Sequence, residues 1–281
     1  MSGLTADELA LWSRYIHSIC GIQLDGSKGY LIETRLGPLL RETGSSGFAG
    51  LYNKVKGDST SALRRKVIDA ITTQETSFFR DTSPFDLLQH KILPDLIDKR
   101  AKAQGNARPI AFRAWSAACS TGQEVYSTAI VFKELLADMN RYDVRILGTD
   151  ISDKAVAQAS YGQYSRLEMD RGMLPGRMAK YFRTEGQAWK VRDEIRALAT
   201  FKTMNLLEPF FFPAKFDLIM CRNVAIYFSE QDKARLFKSI ARVMAPDGYL
   251  IIGSTESITG LCPELEPKRY LRSVFYQLRG I

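Results

Sequence analysis

Apolar residues return at two different spacings along this chain, and the change from one to the other divides it. From Thr5 to Ile71 they recur at every third or fourth position. Leu9, Trp12, Tyr15, Ile16 and Ile19 define a first helix, opened by the reciprocal cap of Thr5 and Glu8 and closed at Gly21. A second helix carries Leu31, Leu36, Leu39 and Leu40 on one side and leaves Lys28, Glu33, Arg35 and Arg41 for the other. Gly44-Ser45-Ser46-Gly47 breaks the pattern, and two shorter helices come next, over 48–56 and 62–71. Four short helices make too small a bundle to enclose a ligand alone, so this region is expected to pack against, or reach over, the domain C-terminal to it.

From Ile110 onwards short apolar runs alternate with helical stretches, the signature of a parallel sheet with helices on both faces. The runs predict strands at 110–115, 143–149, 199–204, 216–220, 248–253 and 272–278, and helices at 124–138, 152–159 and 230–244. Ser229 with Asp232 caps the last helix, and Pro246-Asp247-Gly248 is expected to end it. The final run, Ser273 to Leu278, is expected as an antiparallel addition at the sheet's edge. Between 161 and 197 the rhythm fails, which fits a short hairpin or small antiparallel insert, and excursions of this length are usually functional. The organisation expected is a helical N-terminal domain over 1–80, a connecting helix or linker over 81–109, and an α/β domain over 110–281 with a β-subdomain at about 161–197.

Chemistry enters at the carboxyl ends of the strands, where open α/β sheets bind their ligands. The first strand runs into Ser116-Ala117-Ala118-Cys119-Ser120-Thr121-Gly122-Gln123-Glu124, a loop of very small side chains, and the second ends on Asp150. A carboxylate at the tip of the second strand of a βαβ unit grips ribose hydroxyls. The loop holds Gly122 but not the three glycines that let backbone wrap a diphosphate. A nucleoside without phosphates fits better than a dinucleotide, and S-adenosylmethionine is the obvious candidate. Two further strands end on Asn205 and on Arg222-Asn223; either asparagine alone reads equally well as a turn former. Ahead of the sheet, Thr72-Thr73-Gln74-Glu75-Thr76-Ser77-Phe78-Phe79-Arg80-Asp81 is a poor helix interior. It suits either a ligand clamp or an interdomain linker anchored by its phenylalanines.

Composition narrows the classes. The chain has 281 residues, 45 % of them hydrophobic and 25 % charged, as in an ordinary globular protein. No apolar run approaches the roughly 20 residues of a membrane span, and the N-terminus has no signal-peptide core, so a cytoplasmic protein is expected. Cys20, Cys119, Cys221 and Cys262 are widely spaced and neither histidine, His17 or His90, adjoins one. That spacing argues against a disulfide framework and against a metal site. Reduced core cysteines are expected, with Cys119 and Cys221 placed to line the ligand site. The net charge of +8 suits an acidic partner, nucleic acid or protein, or a mildly basic solvated surface.

Five blocks, in this order and spacing, resemble the bacterial chemotaxis receptor methyltransferase family, CheR. They are Thr72–Asp81, the Ser116–Glu124 loop, Gly148-Thr149-Asp150-Ile151, Asn205-Leu206-Leu207, and the highly specific Cys221-Arg222-Asn223-Val224-Ala225-Ile226-Tyr227-Phe228. The resemblance spans nearly the whole chain. It implies a class I, Rossmann-like S-adenosylmethionine-dependent methyltransferase sheet with a small antiparallel β-subdomain, preceded by an all-α domain. It implies transfer of methyl groups to glutamate carboxylates of chemotaxis receptors, giving methyl esters, with no metal. Carried over residue by residue, Thr76 and Arg80 hold the methionine end of the cofactor, and Glu124 its amino group. Asp150 takes the ribose, Asn205 and Leu206 lie against the adenine, and Asn223 and Val224 lie below. Gln74 stands where the family commonly has asparagine; Gln123 and Val125 replace a glutamate and a proline. Arg80 and Tyr227 are the expected catalytic residues, orienting the acceptor carboxylate.

The family further implies a monomer, without membrane insertion or nucleic acid, whose basic N-terminal helices dock on the helical cytoplasmic region of receptors. Residues 26–80 hold nine Lys or Arg against five Asp or Glu, with Arg35, Arg41, Lys54, Lys56, Arg64, Arg65 and Lys66 as candidate contacts. Some members bind a receptor's C-terminal pentapeptide through a longer glycine-containing loop of the β-subdomain. Here Phe182–Trp189 is short, and independence from such a tether is expected. Three rivals share parts of the pattern: a nucleic-acid methyltransferase, a dinucleotide oxidoreductase, and a non-catalytic regulator that binds S-adenosylmethionine. The first lacks the prolines usual after the fourth strand, the second lacks its glycines, and only activity distinguishes the third.

Overall fold

The structure, a computed structural model, describes residues 3–104, 109–136 and 138–280. The outer limits expected at 1 and 281, part of the expected linker at 105–108, and position 137 of the expected helix 124–138 lie outside the described residues. In chain order the elements begin with α1 (Ala6–Cys20), α2 (Gly29–Glu42), α3 (Phe48–Gly57), α4 (Ala62–Ile71), α5 (Ser83–Leu87) and α6 (Leu93–Gln104). Then come β1 (Ile110–Ala117), α7 (Gln123–Leu135), β2 (Tyr142–Asp150) and α8 (Asp153–Tyr161). The insert holds β3 (Gln163–Ser165), α9 (Arg166–Asp170), α10 (Pro175–Tyr181), β4 (Phe182–Glu185) and β5 (Ala188–Val191). The chain closes with α11 (Asp193–Arg196), β6 (Ala199–Thr203), β7 (Phe216–Cys221), α12 (Glu230–Val243), β8 (Met244–Ile252), β9 (Leu265–Tyr270) and β10 (Ser273–Leu278).

The cap read from Thr5 and Glu8 forms at α1, and Gly21 closes that helix at φ 74°, where only glycine is comfortable. Trp12, Ile16, Ile32, Leu36, Leu51 and Val67 are buried at the centre of the four-helix cluster. The indole N–H of Trp12 donates to Phe48 O at 3.0 Å, which satisfies a donor that burial would otherwise strand. This cluster leans on the sheet. Asn205 Nδ2 donates to Ile19 O at 3.1 Å, Gln23 N donates to Tyr227 O at 3.0 Å, and the His17 ring meets Asp232 at 3.1 Å.

The main sheet runs β6-β2-β1-β7-β8-β10-β9. Its first five strands are parallel, and β10 and β9 add antiparallel. Each face carries its own core: Phe112, Ile130, Phe132 and Ile146 on one, Trp115, Ile219, Phe237 and Leu250 on the other. β1, flanked by β2 and β7 at the centre, therefore reads apolar on both faces, as a doubly covered parallel strand must.

Two expectations need correction. The last strand, β10, is antiparallel as expected but is not the edge; β9 lies outside it. β9 was illegible because Leu265-Glu266-Pro267-Lys268-Arg269-Tyr270 carries charges and a proline, the devices that keep an edge strand from pairing further. Nor does Pro246-Asp247-Gly248 stop α12. That helix ends at Val243, and the three residues lie inside β8, where the pairing jumps from Phe216–Met244 to Leu218–Tyr249. The tripeptide thus lies in an irregular break of the pairing register near the start of a strand, where three extra residues loop out.

The insert is a separate three-stranded antiparallel sheet, ordered β3-β5-β4. It is fastened to the ligand loop by Tyr164, fully buried, whose hydroxyl donates to Thr121 O at 2.8 Å. Phe78 packs edge-on against both Tyr164 and Phe182, with ring centroids at 4.9 and 5.4 Å.

Candidate functional site

Four chain segments meet at the carboxyl end of β1, β2 and β7 and enclose one cavity. The β1–α7 loop is bent by positive φ at Ala118 (66°), Ser120 (50°) and Gly122 (95°). Such a backbone turns its amides inward and keeps side chains small. At Gly122 space forbids more: a Cβ would stand 2.9 Å from Ala159 Cβ and 3.1 Å from Tyr164 Oη. Across the loop Cys119 N donates to Thr149 O and Ser120 N to Asp150 Oδ2, both at 2.8 Å.

Asp150 is 7 % exposed, and burial raises its carboxyl above the usual range, against the pull of backbone N–H groups of Ser152, Ser120 and Ile151. Oδ1 accepts Ser152 N at 3.0 Å and Oδ2 accepts Ser120 N. A carboxylate oxygen can accept twice, so each keeps capacity for a further donor from the cavity. This suits a vicinal diol. Cys119 behind it is pushed well up, by burial first and then by the charges of Asp150 and Glu124. It therefore remains a thiol and is no nucleophile.

Glu124 lies in the first turn of α7. Its Oε1 accepts Ser116 Oγ at 2.7 Å and its Oε2 meets Arg222 Nη1 at 2.9 Å. A carboxylate at the positive end of a helix stabilises it and also repels any phosphate brought there.

Arg222 is a residue to which the sequence alone assigned no role. Its side chain is 2 % exposed and joins three segments. Besides Glu124, Nη2 donates to Arg80 O and to Asp81 Oδ2, both at 2.9 Å. The Thr72–Asp81 stretch thereby hangs from the end of β7. It is held at its other end by Arg35, whose Nη1 donates to Ile71 O at 2.7 Å and Thr72 O at 3.0 Å. Arg35, a candidate partner contact by charge, is thus engaged in holding this stretch. Between the anchors Gln74 bridges Thr72 Oγ1 (3.0 Å) and the Ser120 hydroxyl (3.1 Å). Arg80 Nη1 donates to Glu75 O at 2.9 Å. The phenylalanines are anchors, as a linker requires, and the polar residues line the cavity.

All ten residues singled out from the sequence line this one cavity: Gln74, Thr76, Arg80, Glu124, Asp150, Asn205, Leu206, Asn223, Val224 and Tyr227. Asn205 is partly the turn former it resembled, since its Oδ1 accepts Leu207 N at 3.1 Å while Nδ2 reaches α1. Asn223 sits at φ 58°, and its N donates to Glu256 Oε2 at 2.7 Å. Cys119 lines the cavity as expected; Cys221 is buried in the core behind it, and Cys20 lines it instead. The α1–α2 segment was also missed: Ile22, Leu24, Lys28 and Leu31 form the cavity's outer wall. No local pattern marks them, because they arrive by the packing of distant segments. Among the described residues no cluster of His, Cys, Asp and Glu could hold a metal ion.

A doubly wound sheet with a cavity at the ends of β1, β2 and β7, lined by the β2 carboxylate, has the architecture of an S-adenosylmethionine-dependent methyltransferase. Comparison with known proteins makes this specific: the chain belongs to the CheR methyltransferase family. Residues 74–269 match its S-adenosylmethionine-binding domain, and residues 7–72 its all-alpha domain. A curated relative, chemotaxis protein methyltransferase 1 of Pseudomonas aeruginosa, is 37 % identical over 265 residues, 93 % of each chain. The chemotaxis protein methyltransferase of Vibrio parahaemolyticus is 37 % identical over 271 residues, 95 % of each. Chemotaxis protein methyltransferase 1 of Vibrio cholerae is 38 % identical over 269 residues, covering 95 % of this chain and 94 % of that one.

Proposed function

We propose that this protein esterifies glutamate side chains of chemotaxis receptors with methyl groups from S-adenosylmethionine. The observation that carries the reading is the convergence of Asp150, Glu124, the Thr76–Arg80 stretch and Tyr227 on one cavity, in a chain of this family. Asp150 would receive the ribose hydroxyls, Asn205 and Leu206 would wall the adenine, and Asn223 with Val224 would floor it. Glu124, with Gln74, Thr76 and Arg80, would hold the methionine end. When bound, S-adenosylmethionine supplies an electrophilic sulfonium methyl and departs as a neutral thioether.

The protein's own task is then mostly geometric. A glutamate with an ordinary pKa of about 4.3 is already ionised at neutral pH, so no general base is required. The histidines accord with that: His17 is engaged with Asp232, and neither His17 nor His90 lines the cavity. Arg80 and Tyr227 line the cavity and would orient the acceptor through charge-assisted and neutral hydrogen bonds. Closing the α1–α2 wall over the site would exclude water from the reacting pair.

The division of labour expected from the sequence completes the reading: residues 1–80 dock the receptor and supply the outer wall, and 110–281 carry the cofactor and the insert. The β4–β5 turn of the insert is only Gly186-Gln187, with Gly186 at φ 63°, a short hairpin with little surface for a peptide. We therefore include independence from a C-terminal pentapeptide tether; micromolar heat on titrating that peptide would refute this part. The main test incubates the protein with methyl-labelled donor and receptor-containing membranes. Base-labile label on the receptor is expected; label on nucleic acid, or on nothing, would overturn the proposal.

A further inference from the structure

A second cleft opens beside the cavity, on the other side of a shared wall. Phe85 lines the cavity, while its neighbours Ser83 and Pro84 line the cleft. Glu256 completes the wall: its Oε2 accepts both Asn223 N and Gly253 N at 2.7 Å. The far lip of the cleft is the β9–β10 hairpin, fastened by the Ser273 hydroxyl donating to Ser83 O at 3.3 Å.

The hairpin's chemistry is unusual for a protein surface. Arg269 and Val274 are cross-strand partners that both line the cleft, and Arg272 lines it from the turn. Arg269 and Arg272 are exposed, and among the described residues neither guanidinium has an acid partner, whereas neighbouring Lys268 is paired with Glu266 at 2.9 Å. Between the arginines Leu271 stands 85 % exposed at φ 51°, a conformation that a leucine adopts only under constraint, and Val274 is 38 % exposed. Two unpaired guanidinia around an outward leucine form a basic, apolar-centred knob. Among the described residues the sole acid lining the cleft is Glu256, and its Oε2 is turned to backbone amides.

We propose that this hairpin is a docking element for the methyl-accepting protein, gripping an acidic helical segment that flanks the acceptor glutamate. The inference rests on the reading of the main cavity as a glutamate methyltransferase site, and it adds a contact on the catalytic side of the sheet to any made by the N-terminal helices. Position and charge carry it. The cleft adjoins the wall that holds Asn223, so a segment lying in it runs beside the cavity, and the residues flanking that segment are the ones placed to reach the cavity's mouth. An acidic segment would supply carboxylates for Arg269 and Arg272, and an amphipathic helix would supply an apolar face for Leu271 and Val274. Guanidinium is suited to this because its planar fork pairs carboxylates two bonds at a time.

The test is steady-state methylation of receptor-containing membranes by the wild type, by Arg269→Glu/Arg272→Glu, and by Leu271→Asp. Affinity for S-adenosylhomocysteine and thermal melting are measured in parallel as controls. The expected result is a KM for receptor raised by about tenfold or more in either variant, with kcat at saturation and S-adenosylhomocysteine affinity kept within about twofold. The wild-type KM should also climb with salt more steeply than that of the double variant. Wild-type methylation with KM unchanged in the variants overturns the docking element and leaves the main proposal standing. So does loss of heparin or vesicle binding by the variants without any change in KM, which assigns the arginines to a polyanion or a lipid surface. No methylation by the wild type overturns the parent reading, and this inference with it.

Discussion

Asp150→Asn separates ligand recognition from folding more cleanly than any other single change. The carboxylate has one backbone donor on each oxygen, at 2.8 and 3.0 Å, and one acceptor position on each left for the cavity. Two ribose hydroxyls there would make charge-assisted bonds, each contributing about 1.5–3 kcal/mol. Asparagine keeps one acceptor oxygen, loses the charge, and turns an NH2 toward a backbone N–H or a hydroxyl. The net loss is one bond and much of the second, about 2–4 kcal/mol, or roughly 30- to 700-fold in Kd. In folding, the backbone N–H that then faces the amide NH2 loses its acceptor, and the relief of no longer burying a charge offsets that cost, so the net change is small. The melting temperature without ligand should stay within about 4 °C of wild type.

The pH dependence comes from the same group. Its folded pKa is raised, so the folded protein binds the proton more tightly than the unfolded chain. Ionised Asp150 therefore subtracts from stability as pH rises from 3.8 through the folded pKa. Ligand binding runs the opposite way. Hydroxyl donors favour the carboxylate, so affinity falls as pH drops through the raised pKa and levels off below the lower pKa of the complex. Calorimetric titration with S-adenosylhomocysteine at graded pH reads the affinity, and urea denaturation without ligand at the same pH values reads the stability. A variant Kd within about threefold of wild type, or an affinity flat across the acid range, would refute the role of Asp150.

Three other changes probe the remaining parts of the site. Arg222→Met should destabilise by about 3 kcal/mol in urea denaturation, since it leaves the mostly buried Glu124 without its cation; an unchanged midpoint would show the network to be idle. Gly122→Ala places a Cβ against Ala159 at φ 95° and should cost about 1–3 kcal/mol while weakening S-adenosylhomocysteine binding; full affinity would mean that the loop tolerates side chains. Arg80→Ala and Tyr227→Phe should lower kcat for receptor methylation by about 10- to 100-fold without abolishing it, as orienting groups do; complete loss would point to a direct chemical role instead.

What was legible in the sequence is what local pattern encodes. The cap at Thr5, the apolar run of β1 and the Asp150 tip each arise from a few consecutive residues, and the structure places them within a residue or two of the reading. Protection against outward pairing hid β9: a strand built to stay at the edge carries a proline and several charges, and such a run reads as a loop. The register break hid the start of β8, because Pro246-Asp247-Gly248 spells a turn to any local rule. In the site, Ile22 and Leu24 look like ordinary interhelical apolar residues. Only the approach of α1 to Asn205 and Tyr227 makes them a wall, and Ile19 and Asn205 stand 186 positions apart in the chain.

Arg222 shows how such distant pieces come to act together. A buried guanidinium is costly unless its donors are met. Here three acceptors on two other segments meet its terminal nitrogens, while among the described residues Nε is left without a partner. An apolar replacement of Arg222 together with its acidic partners could fill that space at no greater cost in stability. What it could not do is fix Glu124, Asp81 and the Arg80 carbonyl in one network of hydrogen bonds. The position of the Arg80 backbone decides where its own side chain can reach, and Glu124 is the group nearest the cofactor's amino end in the proposed mode. In that mode one cation would set the carboxylate proposed to hold the ligand and the arginine proposed to orient the acceptor relative to each other. The same link explains why the Thr72–Asp81 stretch can be non-helical and still serve as a wall: Arg35 pins its first carbonyls, Arg222 its last, and Gln74 ties its middle to the loop. A clamp held at three points by hydrogen bonds, with Phe78 as its apolar anchor, needs no regular secondary structure to be rigid.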